Sequence, residues 1–428
     1  QRMADALAAL PFAALSTQSV YLKLWLALVY VLLLLYLLGR GEKKRPLVPL
    51  GLGTAGLCAA LVLQAASHTA GRLTVSVLDV GQGQSVALSQ KNLYALVDCG
   101  ESGSTLRFLI PVGLLIQGEA SFTGRGRLME RPLKPYEDLF REKGIAWKLA
   151  DNVLTVNGGR GYGTLALDPG TYRLPGNVSS QFFTGLLFVM PLLEGDSTLV
   201  STTPLESRDY LEMTRQAQAA AGVTSRWLDE NTLFVPGGQT YQSFEATAEA
   251  DWSQAGFWYA ADFLDSRVDI RGLNPDSAQG DKAVSELYWR LARPGDTEID
   301  VSGCPDLLPP LAVMAAARSG TTRFVNAARL RMKESDRLAS VTRALRAMGG
   351  QVEEHIDALT IHGVERLPGG GAVDCANDHR IAMMAAVCAA SAGAPVKLLG
   401  AECVKKSYPE FWTHFQSLGG ELHGLILR

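Results

Sequence analysis

"YALVDCGESGSTLRFLI", residues 94–110, joins two kinds of sequence. Its left half is an apolar run that ends in Asp98-Cys99-Gly100, as a β-strand does on meeting a turn. Its right half sets Gly103, Ser104 and Thr105 ahead of Arg107 and a second apolar run, which reads as the opening of a helix. Bare amides at a helix N-terminus favour an anion, so this strand–turn–helix junction is a candidate anion cradle.

The same arrangement recurs downstream. "NVSSQFFTGLL" sets Ser179, Ser180 and Gln181 before an apolar helix, "CPDLLPPLAV" sets Asp306 before another, and "NDHRIAM" sets Asp378, His379 and Arg380 before an Ala/Met helix. "TGRGRLMERP" adds Arg125, Arg127 and Arg131. "RLRMKESDRL" gathers Arg329, Arg331, Lys333, Glu334, Asp336 and Arg337, and "VKKSYPEF" gives Lys405 and Lys406. Singly, each motif also reads as a capped helix with a solvated charge. Together they put Arg and Lys at successive helix starts beside few acids. That suits several phosphates and carboxylates, held by bidentate Arg forks and Lys point charges. A lone Glu and Asp among such cations suit proton transfer.

Between these loops runs a loose internal repeat of polar-faced helix, Gly and short strand, at residues 131–149, 207–228, 334–354 and 407–427. Leu338, Val341, Leu345 and Met348 show the helical spacing, and the Gly is a C-cap signal. The polar loops differ from one repeat to the next, so the repeat predicts a symmetric α/β architecture and not a solenoid.

At 428 residues the chain has room for two or three domains, and its net charge of -3 gives no overall basic field for nucleic acid. Charged residues make up 19% of it, and they are sparsest before residue 70. Residues 21–39 carry one charge, Lys23, over the length of one bilayer-spanning helix. The basic "RGEKKR" follows at 40–45, then a second apolar stretch at 46–67 rich in Gly and Ala. This predicts a membrane hairpin over 21–67 with Arg40, Lys43, Lys44 and Arg45 on the cytoplasmic side, a buried hairpin of a soluble protein being the alternative. Residues 73–98 alternate apolar and polar around a Gly-rich turn at 81–83, which predicts a β-hairpin. The six cysteines form no CxxC pair and the six histidines no close ligand pair, so reduced, mostly buried thiols and no metal centre are expected.

Six motifs in order, "DCGESGSTLRF", "GRLMERP", "NVSSQF", "KESDRL", "ANDHRIAM" and "KKSYPEF", make residues 98–428 resemble the 3-phosphoshikimate 1-carboxyvinyltransferase (EPSP synthase) family. The sister transferases acting on UDP-N-acetylglucosamine fit less well, since their loop cysteine has no counterpart around Arg125. The resemblance implies an α/β fold of two domains built from βαβαββ-like units, an inside-out α/β barrel. It implies transfer of the enolpyruvyl group of phosphoenolpyruvate to the 5-hydroxyl of shikimate 3-phosphate by a cytoplasmic monomer with no metal or organic cofactor. Carried over by motif, Ser179, Ser180, Gln181, Ser207, Tyr210, Asp306 and Lys333 are the implied shikimate 3-phosphate contacts. Gly103, Arg127, Gln181, Arg337, Arg380 and Lys406 are the implied phosphoenolpyruvate contacts. Asp306 takes the hydroxyl proton and Glu334 protonates the methylene carbon, with Lys333 completing the implied catalytic set. Arg329 stands where many members have Asn, and Phe108 where many have Pro. The family's opening strand and its "PGSKSxSNR" loop have no counterpart before residue 98, so the first unit is expected to be missing and turnover impaired.

The hairpin, "LDVGQGQS" and "LVDCG" make residues 1–100 resemble the competence-type DNA-uptake channel family, in which a membrane core precedes a metallo-β-lactamase-like domain. The HxHxDH metal motif of that domain is lacking. The expected division is therefore a transmembrane hairpin over 1–70, a β-hairpin fragment over 71–100, a partial substrate domain over 101–236 and a second domain over 237–428, with the crossover near 235–242. Asp98-Cys99-Gly100 fits both families, so the chain reads as a chimera joined there. Its alternative function is that of a DNA-uptake channel fragment with a non-catalytic enzyme-like tail.

Overall fold

In a computed structural model, residues 95–117, 119–159 and 166–424 are described, together with helical positions 25, 27–29 and 31–32. All described residues from 95 onward belong to one compact unit.

The opening stretch settles into this body. Strand β1 (Ala95–Asp98) leads into helix α1 (Gly103–Gln117) and strand β2 (Glu119–Thr123), and β1 pairs with β2 in parallel, Asp98 opposite Thr123. Helix α2 (Lys134–Glu142) and the antiparallel strands β3 (Ala146–Ala150) and β4 (Val153–Asn157) complete a sheet of order β1-β2-β4-β3. The described partner of Ala95–Asp98 is thus a strand of the body, so the boundary expected at residue 100 falls inside a βαβ unit. The upstream half of the predicted hairpin, residues 73–94, lies outside the described residues.

A second copy follows as β5 (Gly170–Leu174), α3 (Gln181–Val189), β6 (Ser197–Ser201), α4 (Arg208–Ala220), β7 (Arg226–Trp227) and β8 (Thr232–Val235). Its sheet order, β5-β6-β8-β7, repeats the first. Helices α5 (Trp252–Ala261) and α6 (Val284–Leu291) come next with no intervening strand. A third copy is β9 (Thr297–Asp300), α7 (Leu308–Ala316), β10 (Thr321–Val325), α8 (Arg337–Ala347), β11 (Gln351–Glu354) and β12 (Leu359–His362). Strand β13 (Ala372–Asp374), α9 (His379–Ala390), strand β14 (Lys397–Leu399) and α10 (Phe411–Ser417) close the described chain, β13 and β14 pairing in parallel. The Gly of the sequence repeat has its role at these helix ends. Gly349 takes φ +87°, a left-handed conformation that lets α8 stop and β11 begin without a Cβ clash.

Two apolar cores form, one from Cys99 to Val235 and one from Trp252 to Phe415, and the chain passes between them after β8. In the second lobe every residue of α7 is buried, as are ten successive residues of α9 from His379 to Cys388. A helix apolar all round belongs inside a core. Helices α5, α7 and α9 accordingly pack pairwise in the lobe interior. The strands sit outside with alternating burial, as in Thr322 and Phe324 of β10 facing in while Arg323 faces out. In the first lobe α1 and α3 hold the inner position, but Leu109, Val112 and Leu115 of α1 remain partly uncovered.

Among the described residues no helix is long and apolar enough to cross a membrane. The predicted hairpin at 21–67 falls, apart from the six helical positions, outside them. The five described cysteines, Cys99, Cys304, Cys375, Cys388 and Cys403, are buried thiols outside any disulfide.

Candidate active site

The two lobes face each other across a cleft of about 670 Å³. Its walls are the beginnings of helices. Gly103 and Ser104 open α1, Gln181 opens α3, Asp306 precedes α7, Arg337 opens α8, and His379 and Arg380 open α9. The sequence dictates these starts locally: Asp336 caps α8 through the Ala339 amide, and Asp378 caps α9 through the Arg380 amide at 3.0 Å. Each cap thereby places an Arg in the first turn, at the cleft.

Arg337 is the centre of the second-lobe wall. Its side chain is 1% exposed and touches three carboxylates. Nε donates to Asp378 Oδ2 at 2.8 Å, Nη1 to Asp306 Oδ1 at 2.6 Å and Nη2 to Glu334 Oε2 at 2.5 Å. Burial opposes this charge, but Asp378, Glu334 and Asp306 outweigh it and hold the guanidinium proton more tightly than usual. Asp306 also meets Lys333 Nζ at 3.2 Å and Arg380 Nη2 at 3.3 Å. Burial pushes its carboxyl up, yet Arg380, Lys333 and Arg337 win and hold it well below the usual range. Glu334 is ionised for the same reason: burial is outweighed by Arg337 and by Arg131, whose Nη2 lies 3.3 Å from Oε1. Lys333 moves the opposite way, its pKa lowered chiefly by burial. His379, buried beside Arg380, is pushed down to about 4 and is therefore neutral at pH 7.

The first-lobe wall is a second convergence of cations. Arg107 donates from Nη1 to Gln181 Oε1 at 2.7 Å and from Nη2 to the Pro132 carbonyl at 3.2 Å, and Gln181 Nε2 donates to Ser104 Oγ at 2.8 Å. Burial and the neighbouring Arg131 lower Arg107 to about 10. The Nε atoms of Arg107 and Arg131 are buried and have no hydrogen-bond partner among the described residues. Gly103 is required here by proximity. A Cβ on it would lie 3.0 Å from Arg131 Nη1, 3.1 Å from Arg107 Nη1 and 3.4 Å from Gln181 Oε1, filling the space on which these groups converge.

Contacts between the lobes flank the cleft. Arg329 donates from Nη2 to Ser207 Oγ at 2.7 Å and to the Ser302 carbonyl at 2.6 Å. Its Nε lies 2.5 Å from Glu206 Oε2 without the alignment of a hydrogen bond. Ser207 stands at the N-cap position of α4 in the left-handed region at φ 55°, uncommon for a serine, its hydroxyl turned to the Ser302 carbonyl. Tyr210, one turn on, donates to Asp281 Oδ2 at 3.4 Å. On the other flank Lys406 pairs with Glu101 and donates to the Asn377 carbonyl at 2.8 Å.

Of the residues read from the sequence, Gly103, Ser179, Gln181, Asp306, Lys333, Glu334, Arg337, Arg380 and Lys406 line this cleft together. Ser180 is the N-cap of α3 behind it, and Ser207 and Tyr210 stand at its edge without lining it. Arg127 stands off this cleft. Its side chain is 49% exposed, faces Glu130 at 3.7 Å and does not line the cleft. Arg131, four residues on and 8% exposed, occupies the wall instead, because the short helix Leu128–Glu130 turns the chain between the two. Sequence reasoning named Arg107 and Asp378 in the cradle motifs without assigning either a ligand, and it missed Glu101. Arg107 was legible as a cation on the cradle helix; the long-range pairings of Asp378 and Glu101 have no local signal. Among the described residues no group of three His, Cys, Asp or Glu side chains converges as a metal site.

Comparison with known proteins agrees with this architecture. Residues 63–415 match the family model described as EPSP synthase (3-phosphoshikimate 1-carboxyvinyltransferase), so the match begins upstream of the join read at Asp98. A 3-phosphoshikimate 1-carboxyvinyltransferase of Clostridium kluyveri is 42% identical over 366 residues, covering 81% of this chain and 84% of its own. The Clostridium beijerinckii enzyme of that name is 41% identical over 341 residues, covering 76% and 77%. Among solved structures, EPSP synthase from Acinetobacter baumannii superposes with TM-score 0.59 at 22% identity, covering 76% of this chain and 79% of that one, a likeness of fold. The enolpyruvyl transferase NikO from Streptomyces tendae gives TM-score 0.57 at 15% identity, covering 74% and 76%. With the family match spanning most of its length and its relatives this similar, the chain belongs to the EPSP synthase (3-phosphoshikimate 1-carboxyvinyltransferase) family.

Proposed function

We propose that the chain transfers the enolpyruvyl group of phosphoenolpyruvate to the 5-hydroxyl of shikimate 3-phosphate. The observation that carries this reading is Asp306, an ionised carboxylate held among Arg337, Lys333 and Arg380 on the cleft wall, with Glu334 beside it between Arg337 and Arg131. In this reading Ser179, Ser180, Gln181, Ser207, Tyr210 and Lys333 hold shikimate 3-phosphate. Gly103, Gln181, Arg337, Arg380 and Lys406 hold phosphoenolpyruvate, with Arg131 in the place expected of Arg127. Asp306 takes the 5-hydroxyl proton as the oxygen bonds to the enol carbon, and the methylene carbon gains a proton to become a methyl group. Loss of a methyl proton and of phosphate then restores the double bond.

Glu334 begins as a carboxylate because Arg337 and Arg131 stabilise its charge. The carboxylate and phosphate of phosphoenolpyruvate draw on the same guanidiniums. Binding therefore withdraws cations from Glu334 and raises its proton affinity, as a donor to the methylene carbon needs. Lys333, whose proton is loosened by burial, stands ready to resupply it.

The test is phosphate release by the full chain. Release that requires both substrates and falls well below the rate of the clostridial relatives supports the reading, since the Lys/Ser/Arg loop of the family was not found before residue 98. Absence of both phosphate release and shikimate 3-phosphate binding would sink it. The channel-fragment alternative is not favoured, because a non-catalytic tail has no need of buried cations and carboxylates converging on one cleft. Membrane attachment through residues 21–67 is a separate proposal, refuted by carbonate-washed membranes that lack the protein.

A further inference from the structure

Lys406 has three ammonium donors. One meets Glu101 and one the Asn377 carbonyl at 2.8 Å. The third carries no hydrogen bond among the described residues, and Lys406 lines the cleft while Glu101 does not. Glu101 is itself held in place. Asn377 Nδ2 lies 3.2 Å from each of its carboxylate oxygens, and its Cδ is 3.2 Å from where a Cβ on Gly126 would stand. Glu101 comes from the turn before α1 in the first lobe, whereas Lys406 and Asn377 belong to the second.

We propose that Glu101 is a positioning residue: together with the Asn377 carbonyl it fixes two of the three Lys406 donors across the lobe boundary and aims the third at the anionic substrate in the cleft. This rests on the reading in which Lys406 meets phosphoenolpyruvate. A free lysine is a flexible point charge that loses much rotamer freedom on binding. Holding it by two acceptors beforehand removes that cost from the binding step. Glu101 acts through Lys406 and touches no substrate.

The experiment measures two affinities in the full chain by calorimetry: shikimate 3-phosphate alone, and phosphoenolpyruvate at saturating shikimate 3-phosphate. Loss of a charge-assisted contact predicts that Glu101→Ala weakens phosphoenolpyruvate about 10-fold or more. Shikimate 3-phosphate affinity stays within about twofold in the same variant, as expected of a charge that acts only through Lys406. Glu101→Gln, which keeps an acceptor oxygen, recovers part of the loss. Lys406→Ala weakens phosphoenolpyruvate at least as much, and adding Glu101→Ala to it costs nothing further, since the positioning residue then has nothing to position. Additive losses in the double variant, an equal loss of shikimate 3-phosphate binding, or unchanged phosphoenolpyruvate affinity in Glu101→Ala would each overturn the inference. Wild-type chain that binds neither ligand refutes the functional reading itself, and this inference with it. That outcome is distinguished from the others by the wild-type titration alone.

Discussion

Replacing Arg337 with Met tests whether the charge cluster is held together as described. Arg337 is fully buried, and its removal leaves three carboxylates short of one partner. They are not left equally short. Asp306 keeps Lys333 and Arg380, and Glu334 keeps Arg131. Asp378, 0% exposed, keeps the neutral donors of the Ser335 hydroxyl at 2.9 Å and the Arg380 amide at 3.0 Å, with its ion pair gone. An uncompensated buried charge of this kind costs about 3–5 kcal/mol at neutral pH. The pH dependence is diagnostic. In the native protein Asp378 sits below its unfolded pKa, so its contribution is present above the unfolded pKa and is lost as pH falls through the lower, folded one. In Arg337→Met burial becomes the dominant influence on Asp378 and lifts its folded pKa above the unfolded one. Stability is then lost as pH rises through that raised value. Urea unfolding at pH 5 and pH 7.5 should thus show a deficit that shrinks on acidification, and Asp378→Asn should recover part of it at the higher pH. A deficit under about 1 kcal/mol at pH 7.5, or one that grows toward pH 5, would refute the reasoning.

Three other outcomes are expected. Arg131→Ala should weaken phosphoenolpyruvate binding about 10-fold or more while Arg127→Ala changes it less than about twofold, because only Arg131 stands on the cleft wall; a titration that reverses this order restores the original assignment. Arg329→Ala should weaken shikimate 3-phosphate more than phosphoenolpyruvate, since its contacts run to Ser207 and not to the Arg107–Arg131 wall; equal losses would mark it as a general tie between lobes. His379, held neutral with a pKa of about 4 by burial and Arg380, takes up a proton more readily when unfolded. Unfolded chains therefore bind more protons between roughly pH 4 and 6.5, and stability climbs with pH across that window, by up to about 3 kcal/mol from this group. His379→Asn should flatten that slope in chemical denaturation, and an unchanged slope would show that Asp378, Arg337 and Glu334 around it set the dependence instead.

The sequence-to-structure comparison divides along a physical line. What local chemistry decides was legible. The helix–Gly step of the repeat became α2, α4, α8 and α10, each with its glycine just beyond the helix end; the expected strand follows the first three as β3, β7 and β11, while the described residues after α10 form none. The cap residues placed Arg337 and Arg380 in first helical turns, where the motifs put them. What depends on long-range contact was not legible. The period-2 pattern ending at Asp98 announced a strand but not its partner, and the strand that claims it, β2, lies beyond a helix of fifteen residues. Arg127 and Arg131 are equally basic and four apart, and only the intervening turn decides which faces inward. Glu101 reads as a solvated acid in a turn, because its partner Lys406 is 305 residues away.

The chemistry of the cleft follows from how its charges are balanced. An exposed cluster of arginines would bind anions tightly and indiscriminately, and a buried cluster without acids would not fold. Here the second-lobe cations are already shared with a carboxylate, Arg337, Lys333 and Arg380 with Asp306, and Arg131 of the first lobe is shared with Glu334. An incoming dianion therefore gains only the difference between its own contacts and those it displaces, which favours ligands that engage several of these groups together. The carboxylates it displaces lose their stabilising cations at that moment and become better bases. Under the proposed function the binding of one substrate prepares the proton transfers of the reaction, because the guanidiniums proposed to hold the ligand are those that keep Asp306 and Glu334 ionised.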